Sequence, residues 1–245
     1  MKSTVLFHIL DQVDSTNNYA MGKVHAGLAK HGMAWFAWFQ TSGKGQRGRS
    51  WLSEPGENIM LSVALEPPAL FNFHPFLFNA LIANTCRQWL NRYFSGEIKI
   101  KWPNDLYIND RKAGGILIEN NYQGKSWKWG VAGIGININQ VTFPPEAGRP
   151  ISLKQLTGSS FDTIELAREL HLSLLEAFSL VKPSDLTVIL KDYNAHLYKK
   201  GELVRLRKQN IVFETTVKEA DQGGRLHTED NMARQFDFGE VEWVI

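Results

Sequence analysis

A single cysteine, Cys86, is all the thiol in 245 residues. That excludes an internal disulfide framework and fits a reducing compartment. Long hydrophobic runs are missing too, and no stretch approaches the ~20 apolar residues of a membrane span. The apolar run at residues 5–10 is too short for a secretory core and is closed by Asp11. Excess charge of one sign is absent: 27 Lys and Arg against 25 Asp and Glu leave a formal net charge of +2, which disfavours a nucleic-acid-coating function. The 7 histidines are scattered, with neither an H-E-x-x-H pair nor a Cys/His cluster, so no metal ligands can be named. G-x-S-x-G is missing as well. What is left is a cytoplasmic globular chain, 43% apolar and 21% charged, with room for one large domain or one domain plus a small one.

What the chain does have is a concentrated glycine loop, Gln40-Thr-Ser-Gly-Lys-Gly-Gln-Arg-Gly-Arg-Ser-Trp51. Gly43, Gly45 and Gly48 let main-chain N–H groups approach a ligand, while Lys44, Arg47 and Arg49 add long-range attraction. Successive N–H groups in such a loop form a concave anion site, suited to a carboxylate or phosphate. Gly43-Lys-Gly-Gln-Arg-Gly48 matches the letters G-x-G-x-x-G, but a dinucleotide fingerprint must open a helix, and a Pro-Gly turn follows here. The kinase tripeptides His-Arg-Asp and Asp-Phe-Gly do not occur, nor does G-x-x-x-x-G-K-[ST].

The coarse order of elements places this loop. Residues 4–10 read as a strand. Asp14-Ser-Thr-Asn17 has the composition of a helix start, whose side chains either cap free N–H groups or face a ligand. That helix would bury Tyr19, Ala20, Val24 and Leu28. Residues 33–39 are a buried strand delivering Gln40, and residues 59–65 are the next, so the loop joins two strands. Residues 75–94 carry an amphipathic helical pattern with Cys86 packed inside it. Residues 98–102 alternate as a half-buried strand with Lys99 and Lys101 toward solvent. Residues 106–108, a turn at Asn109-Asp-Arg-Lys112 and residues 115–119 read as a β-hairpin. Residues 127–138 form a strand whose Gly133 and Gly135 permit close approach. Helical patterns follow at 152–158, 162–181 and 186–198. From Gly201 onward, short alternating segments at 203–206, 211–217, 225–228 and 236–244 predict a small all-β domain, so the division falls at 1–200 and 201–245.

Lys112-Ala-Gly-Gly115 makes a second cationic, flexible glycine patch. Two such patches, with Gln40, Asn104, Asp105 and Asn137 ending strands, suit two anions held together. Unit charges ~4 Å apart repel by about 4 kcal/mol at an effective dielectric of about 20. A lysine between them cancels that and stabilises charge developing on phosphorus. Activation of a carboxylate by ATP needs that arrangement and no enzyme nucleophile, with Mg²⁺ held largely by phosphate and water. The residues alone also allow Lys112 as an idle turn lysine, Trp35, Trp38 and Trp51 as core or loop anchors, and Asn137 and Asn139 as strand ends.

Asp14-Ser-Thr-Asn17, residues 40–51, Lys101-Trp-Pro-Asn-Asp105, Arg111-Lys-Ala-Gly-Gly-Ile-Leu-Ile-Glu119 and Gly133-Ile-Gly-Ile-Asn-Ile-Asn139 stand in the order seen in biotin protein ligases. The chain resembles that family over nearly its whole length. The resemblance implies an α+β fold: a mixed sheet packed with helices, like class II synthetases, then an SH3-like β barrel. It implies that biotin and ATP give biotinyl-5′-AMP, and that a lysine of a biotin carrier domain, such as that of acetyl-CoA carboxylase, takes the biotin. By the same resemblance Ser15, Thr16, Asn17 and Gln40 line the biotin head-group site, with Gly133 and Gly135. Lys44, Gly45 and Gln46 fold over biotin, and Lys112 is the essential lysine beside its carboxylate. Arg47, Arg49, Trp51, Asn104 and Asn137 fall on the nucleotide side, and Asp105 near the carrier lysine or the magnesium.

Two features depart from the family pattern. Lys44 and Gln46 stand where many members have arginines, so a backbone contact survives and a guanidinium contact does not. The first motif begins at Asp14, leaving no room for the winged-helix DNA-binding domain of some bacterial members, so a monofunctional ligase is expected. Relatives pair strand edges into homodimers, which no residue here decides. A lipoate or octanoate ligase and an RNA-binding module using the Arg/Gly/Trp loop are the alternatives, the latter disfavoured by the near-neutral charge.

Overall fold

The structure is a computed structural model that describes residues 6–244. Seven strands make one mixed sheet: β1 (Phe7–Val13), β2 (Met33–Gln40), β3 (Asn58–Leu65), β4 (Ile98–Lys101), β5 (Asp105–Ile108), β6 (Arg111–Gln123) and β7 (Ser126–Asn137). Their order is β1-β2-β3-β7-β6-β5-β4, with β1 and β2 parallel and all other neighbours antiparallel. The first strand runs three residues past its expected end at Leu10, and Thr4 and Val5 lie outside the described residues.

Alternation gives the sheet two faces. Phe36, Ile59, Leu61, Ile134 and Ile136 point into the main core, where α2 (Pro75–Leu90) and α4 (Thr163–Leu180) cover them with Leu77, Phe78, Ile82, Leu170 and Leu174. Each such side chain fully buried contributes roughly 1.5–3 kcal/mol. On the other face Ala20 and Val24 of α1 (Thr16–His25) pack on Trp35, Ala64 and Val131. A 10-residue helix is about 15 Å long, so α1 covers one end of that face only. Beyond it the same face shows Met60, Gly133 and Gly135, and an open cavity begins there.

Several expectations need correcting. Leu28 lies past the end of α1 and is 61% exposed. Helix α2 stops at Leu90 rather than 94, because Arg92 and Tyr93 donate to Trp89 and Leu90, tightening the last turn. The hairpin turn is only Asn109–Asp110, at φ +49° and +58°, the pair of positive angles that a two-residue hairpin needs. Arg111 and Lys112 therefore belong to β6, with Lys112 opposite Tyr107. The helices α3 (Leu153–Thr157) and α5 (Leu186–Ala195) are present, the first closed by a Ser152–Gln155 capping box.

The C-terminal region is a five-stranded antiparallel sheet of β8 (Leu203–Lys208), β9 (Ile211–Ala220), β10 (Leu226–Glu229), β11 (Ala233–Phe236) and β12 (Glu242–Trp243), ordered β11-β10-β9-β8-β12. The single strand expected over 236–244 is two, because Gly239 at φ +89° sits in a turn between them. One strand pairs with β10 and the other with β8. This sheet is bolted to the rest. Asn194 of α5 exchanges two 2.8 Å bonds with the Ala220 backbone, and Trp102 Nε1 donates to the Gly224 carbonyl at 2.9 Å. Leu206, Val217, Leu226 and Phe236 share one core cluster with Ile100 and Trp102. No helix among the described residues is long and apolar enough to cross a membrane.

Candidate active site

The open end of the sheet face holds a cavity of about 920 Å³, within the range of small-molecule sites. Its floor is β7. A Cβ on Gly135 would lie 2.5 Å from the Trp51 ring, and one on Gly133 would overlap the Asn17 side chain. Those two glycines are therefore required by what rests on them.

At one end a polar network closes around the start of α1. The expected local cap does not form, since Ser15 at the N-cap makes no side-chain capping bond. The free Thr16 N–H instead donates to Gln40 Oε1 at 2.6 Å, as does Thr16 Oγ1 at 3.1 Å. Ser62 Oγ on β3 lies 2.8 Å from Thr16 Oγ1 and 2.7 Å from Asn17 Oδ1, with one proton to give between them. Asn17 Nδ2 then donates to Glu119 Oε2 at 2.9 Å, and Lys44 Nζ sits 3.6 Å from the same carboxylate. Ser15, Thr16, Asn17 and Ser62 are all buried. A fixed set of donors and acceptors at a buried helix N-terminus is suited to a planar polar head group.

At the other end charges gather on β4, β5 and β6. Lys112 Nζ lies 2.7 Å from Asp105 Oδ1. Gly115 leaves room for the pair, since a Cβ there would come within 3.2 Å of Lys112 Nζ and 3.1 Å of Asp105 Oδ1. Lys101 faces the same space instead of solvent, correcting the expectation for it. Its ammonium donates to the Tyr107 hydroxyl at 3.2 Å and stands 5.5 Å from the Trp243 ring. Burial pulls the Lys101 pKa down to about 8; Asp105 opposes this, and Lys112 and Arg49 push further down. Burial also raises the Tyr107 phenol, with Asp105 adding to it.

Every residue given a binding or catalytic role by the family resemblance lines this one cavity, whereas Gly43, Gly48 and Asn139 do not. Ser15, Thr16, Asn17 and Gln40 stand at the network end, and Lys44, Gly45, Gln46, Arg47, Arg49 and Trp51 on the loop. Asn104, Asp105, Lys112, Gly133, Gly135 and Asn137 complete the set. The two asparagines also hold backbone: Asn104 Nδ2 donates to the Ile116 carbonyl, and Asn137 Nδ2 to those of Lys112 and Ile151 at 3.1 and 3.2 Å. Among the described residues no three His, Cys, Asp or Glu gather as a metal cage.

Sequence reasoning missed Ser62, Lys101, the role of Glu119 and the loop at 143–150. That loop is tied to β6 where Lys112 N–H donates to the Arg149 carbonyl at 2.7 Å and Ile151 N–H to the Lys112 carbonyl at 2.9 Å. It also missed Phe238 and Trp243 of the C-terminal region, which reach the cavity wall. Lys101 and Glu119 each stood inside a quoted motif, so a signal existed for them. None existed for 143–150, whose prolines say only that it is a loop.

A sequence model of the biotin/lipoate A/B protein ligase family matches residues 9–137. The chain is 36% identical over 134 residues to the bifunctional ligase/repressor BirA of Escherichia coli, a match covering 53% of this chain and 40% of that protein. It is 32% identical over 163 residues to the biotin--[acetyl-CoA-carboxylase] ligase of Paracoccus denitrificans, covering 64% and 66%. The chain thus spans about 40% of the length of the BirA relative. Among solved structures, a biotin protein ligase from Aquifex aeolicus in complex with biotin and ATP superposes with a TM-score of 0.80 at 24% identity, over 97% of this chain and 98% of that one. That last likeness is one of fold.

Proposed function

The chain belongs to the biotin/lipoate A/B protein ligase family, and from that premise we propose that it is an ATP-dependent biotin–protein ligase. Biotin and ATP, the latter as its Mg²⁺ salt, would give biotinyl-5′-AMP and pyrophosphate. The biotinyl group would then pass to a lysine of a biotin carrier domain such as that of acetyl-CoA carboxylase. The observation that carries this reading is the meeting of Lys112 and the 43–49 loop at one cavity whose far end is the Gln40–Thr16–Asn17 network.

In this reading Ser15, Thr16, Asn17 and Gln40 take the biotin head group over Gly133 and Gly135. Lys44, Gly45 and Gln46 cover it. Lys112 holds the biotin carboxylate against the α-phosphate, cancelling the repulsion that opposes their approach and stabilising charge on phosphorus. Arg47, Arg49, Trp51, Asn104 and Asn137 take the nucleotide side. Magnesium keeps most of its waters and needs few protein ligands, which suits a cation carried in on the phosphates; Asp105 would stand near it or near the carrier lysine. We read residues 1–200 as the catalytic domain and 201–245 as a C-terminal β domain closing one wall. The single buried cysteine supports a cytoplasmic setting.

Pyrophosphate exchange into ATP tests the assignment. Exchange should depend on biotin and not on lipoate or octanoate. Exchange with lipoate alone would move the chain to the other branch of its family, and exchange with none of the three acids would remove the reading.

A further inference from the structure

We propose that Lys101 is the proton acceptor of the transfer half-reaction, taking a proton from the ammonium of the acceptor lysine so that the free amine can attack the activated biotin. This rests on the ligase reading above. An acceptor lysine arrives as an ammonium and is no nucleophile until it loses a proton. Something in the cavity must take that proton near neutral pH, and the choice of groups is narrow.

Among the described residues lining the cavity there is no histidine and no cysteine. Asp105 is engaged by Lys112 Nζ at 2.7 Å, and a proton placed on that carboxylate would break the ion pair. The Tyr107 phenol is raised by burial, so its phenolate is not available. Lys101 remains. Strand β4 sets it opposite Asp105, beside the Lys112 charge pair where the acyl phosphate would be made. Its nitrogen is anchored by the Tyr107 hydroxyl at 3.2 Å and backed by the Trp243 ring. Burial, Lys112 and Arg49 hold it near the pKa of about 8 that lets the neutral amine exist at working pH. The cations that discharge Lys101 also disfavour an incoming ammonium, so both effects push the proton off the acceptor.

The step balances. Neutral Lys101 Nζ takes one proton from the acceptor ammonium. The freed lone pair forms the C–N bond to the biotinyl carbonyl carbon, and the C–O bond to the phosphate oxygen breaks, its electron pair leaving with AMP. The second amine proton goes to the departing phosphate oxygen, and Lys101 returns its own proton to solvent.

The test supplies synthetic biotinyl-5′-AMP and a biotin carrier domain to the full-length protein and follows single-turnover transfer from about pH 6.5 to about pH 10. The wild-type rate should rise with pH and bend near 8. Lys101→Arg keeps the charge but cannot give up its proton, and Lys101→Met removes both. Each should transfer about 10²-fold more slowly at neutral pH and lose the bend. Transfer by Lys101→Arg within about threefold of wild type would overturn the proposal, as would a bend that survives in either variant. A wild-type profile that runs straight through pH 8 overturns it with no variant needed. Failure of the wild type to transfer at all counts against the ligase reading instead.

Discussion

Two cationic glycine segments meet at the cavity with nearly the same composition and opposite mechanics. Residues 43–49 close on themselves: Gly45 N–H donates to the Arg49 carbonyl at 2.7 Å and Trp51 N–H to the Gly43 carbonyl at 2.8 Å. Toward the sheet they reach with side chains, Lys44 to Glu119 at 3.6 Å and Gln46 Nε2 to the Ile116 carbonyl at 3.4 Å. Residues 111–115 run along β5, Gly114 and Gly115 pair with β7 as well, and Lys112 is gripped again by Arg149 and Ile151. The second patch reads as flexible in sequence, yet its glycines serve packing inside a ladder. Glycine in a loop leaves the chain free to close over a ligand; in a central strand it makes room for other groups. The contrast leads us to expect motion in 43–49 and a fixed Lys112.

The sharpest way to break this contrast is Lys112→Ala. It should cost about 2.7–4 kcal/mol in single-turnover formation of biotinyl-AMP, about 10²–10³ in rate, as for loss of one oxyanion donor. An unchanged rate would leave the fixed patch without chemistry. Next comes Gly135→Val, whose branched side chain must displace Trp51 from the floor. Overpacking of this kind costs roughly 1–3 kcal/mol of stability, seen as a lower midpoint of thermal unfolding; a wild-type midpoint would mean that Trp51 does not seat there.

Smaller effects probe the moving part. Gly48 holds φ +76° with nothing near its missing Cβ, so Gly48→Ala costs backbone strain alone, about 1 kcal/mol. Strain carried by the free loop and released on closing should appear as a higher ligand affinity, and no change would mean that the loop keeps that conformation when it closes. Glu119→Gln removes a half-exposed pair worth under about 1 kcal/mol. Trypsin cleavage after Arg47 and Arg49 should then quicken a few-fold in the unliganded protein and slow again with biotin. Equal cleavage with and without biotin would deny that the loop closes.

How much of this was legible differs by region. Strand β2 and its delivery of Gln40 to the loop followed from one apolar run. The helical pattern beginning at 162 located the start of α4, where Asp162 accepts from Ile164 and Glu165 N–H. The 109–110 turn was placed but made too long, because Asn-Asp followed by Arg-Lys is polar throughout and only the backbone angles mark where pairing resumes. Lys101 was misread because Ile-Lys-Ile-Lys alternation shows that a face exists and not what covers it; Tyr107 of the next strand and Trp243 from distant sequence lie against its ammonium. The Asp14–Asn17 turn was read as a helix start, yet its first N–H is capped by Gln40, 24 positions away. Local patterns disclosed the elements, and long-range pairing decided which side chains share the cavity.

The seam between the two sheets carries one more consequence. Because Asn194 locks onto Ala220 and the C-terminal side chains sink into the same apolar mass as Ile100 and Trp102, neither sheet can shed its partner without exposing the interior of both. Heating should therefore melt the whole chain in a single calorimetric transition, with enthalpies from heat and from van't Hoff analysis agreeing.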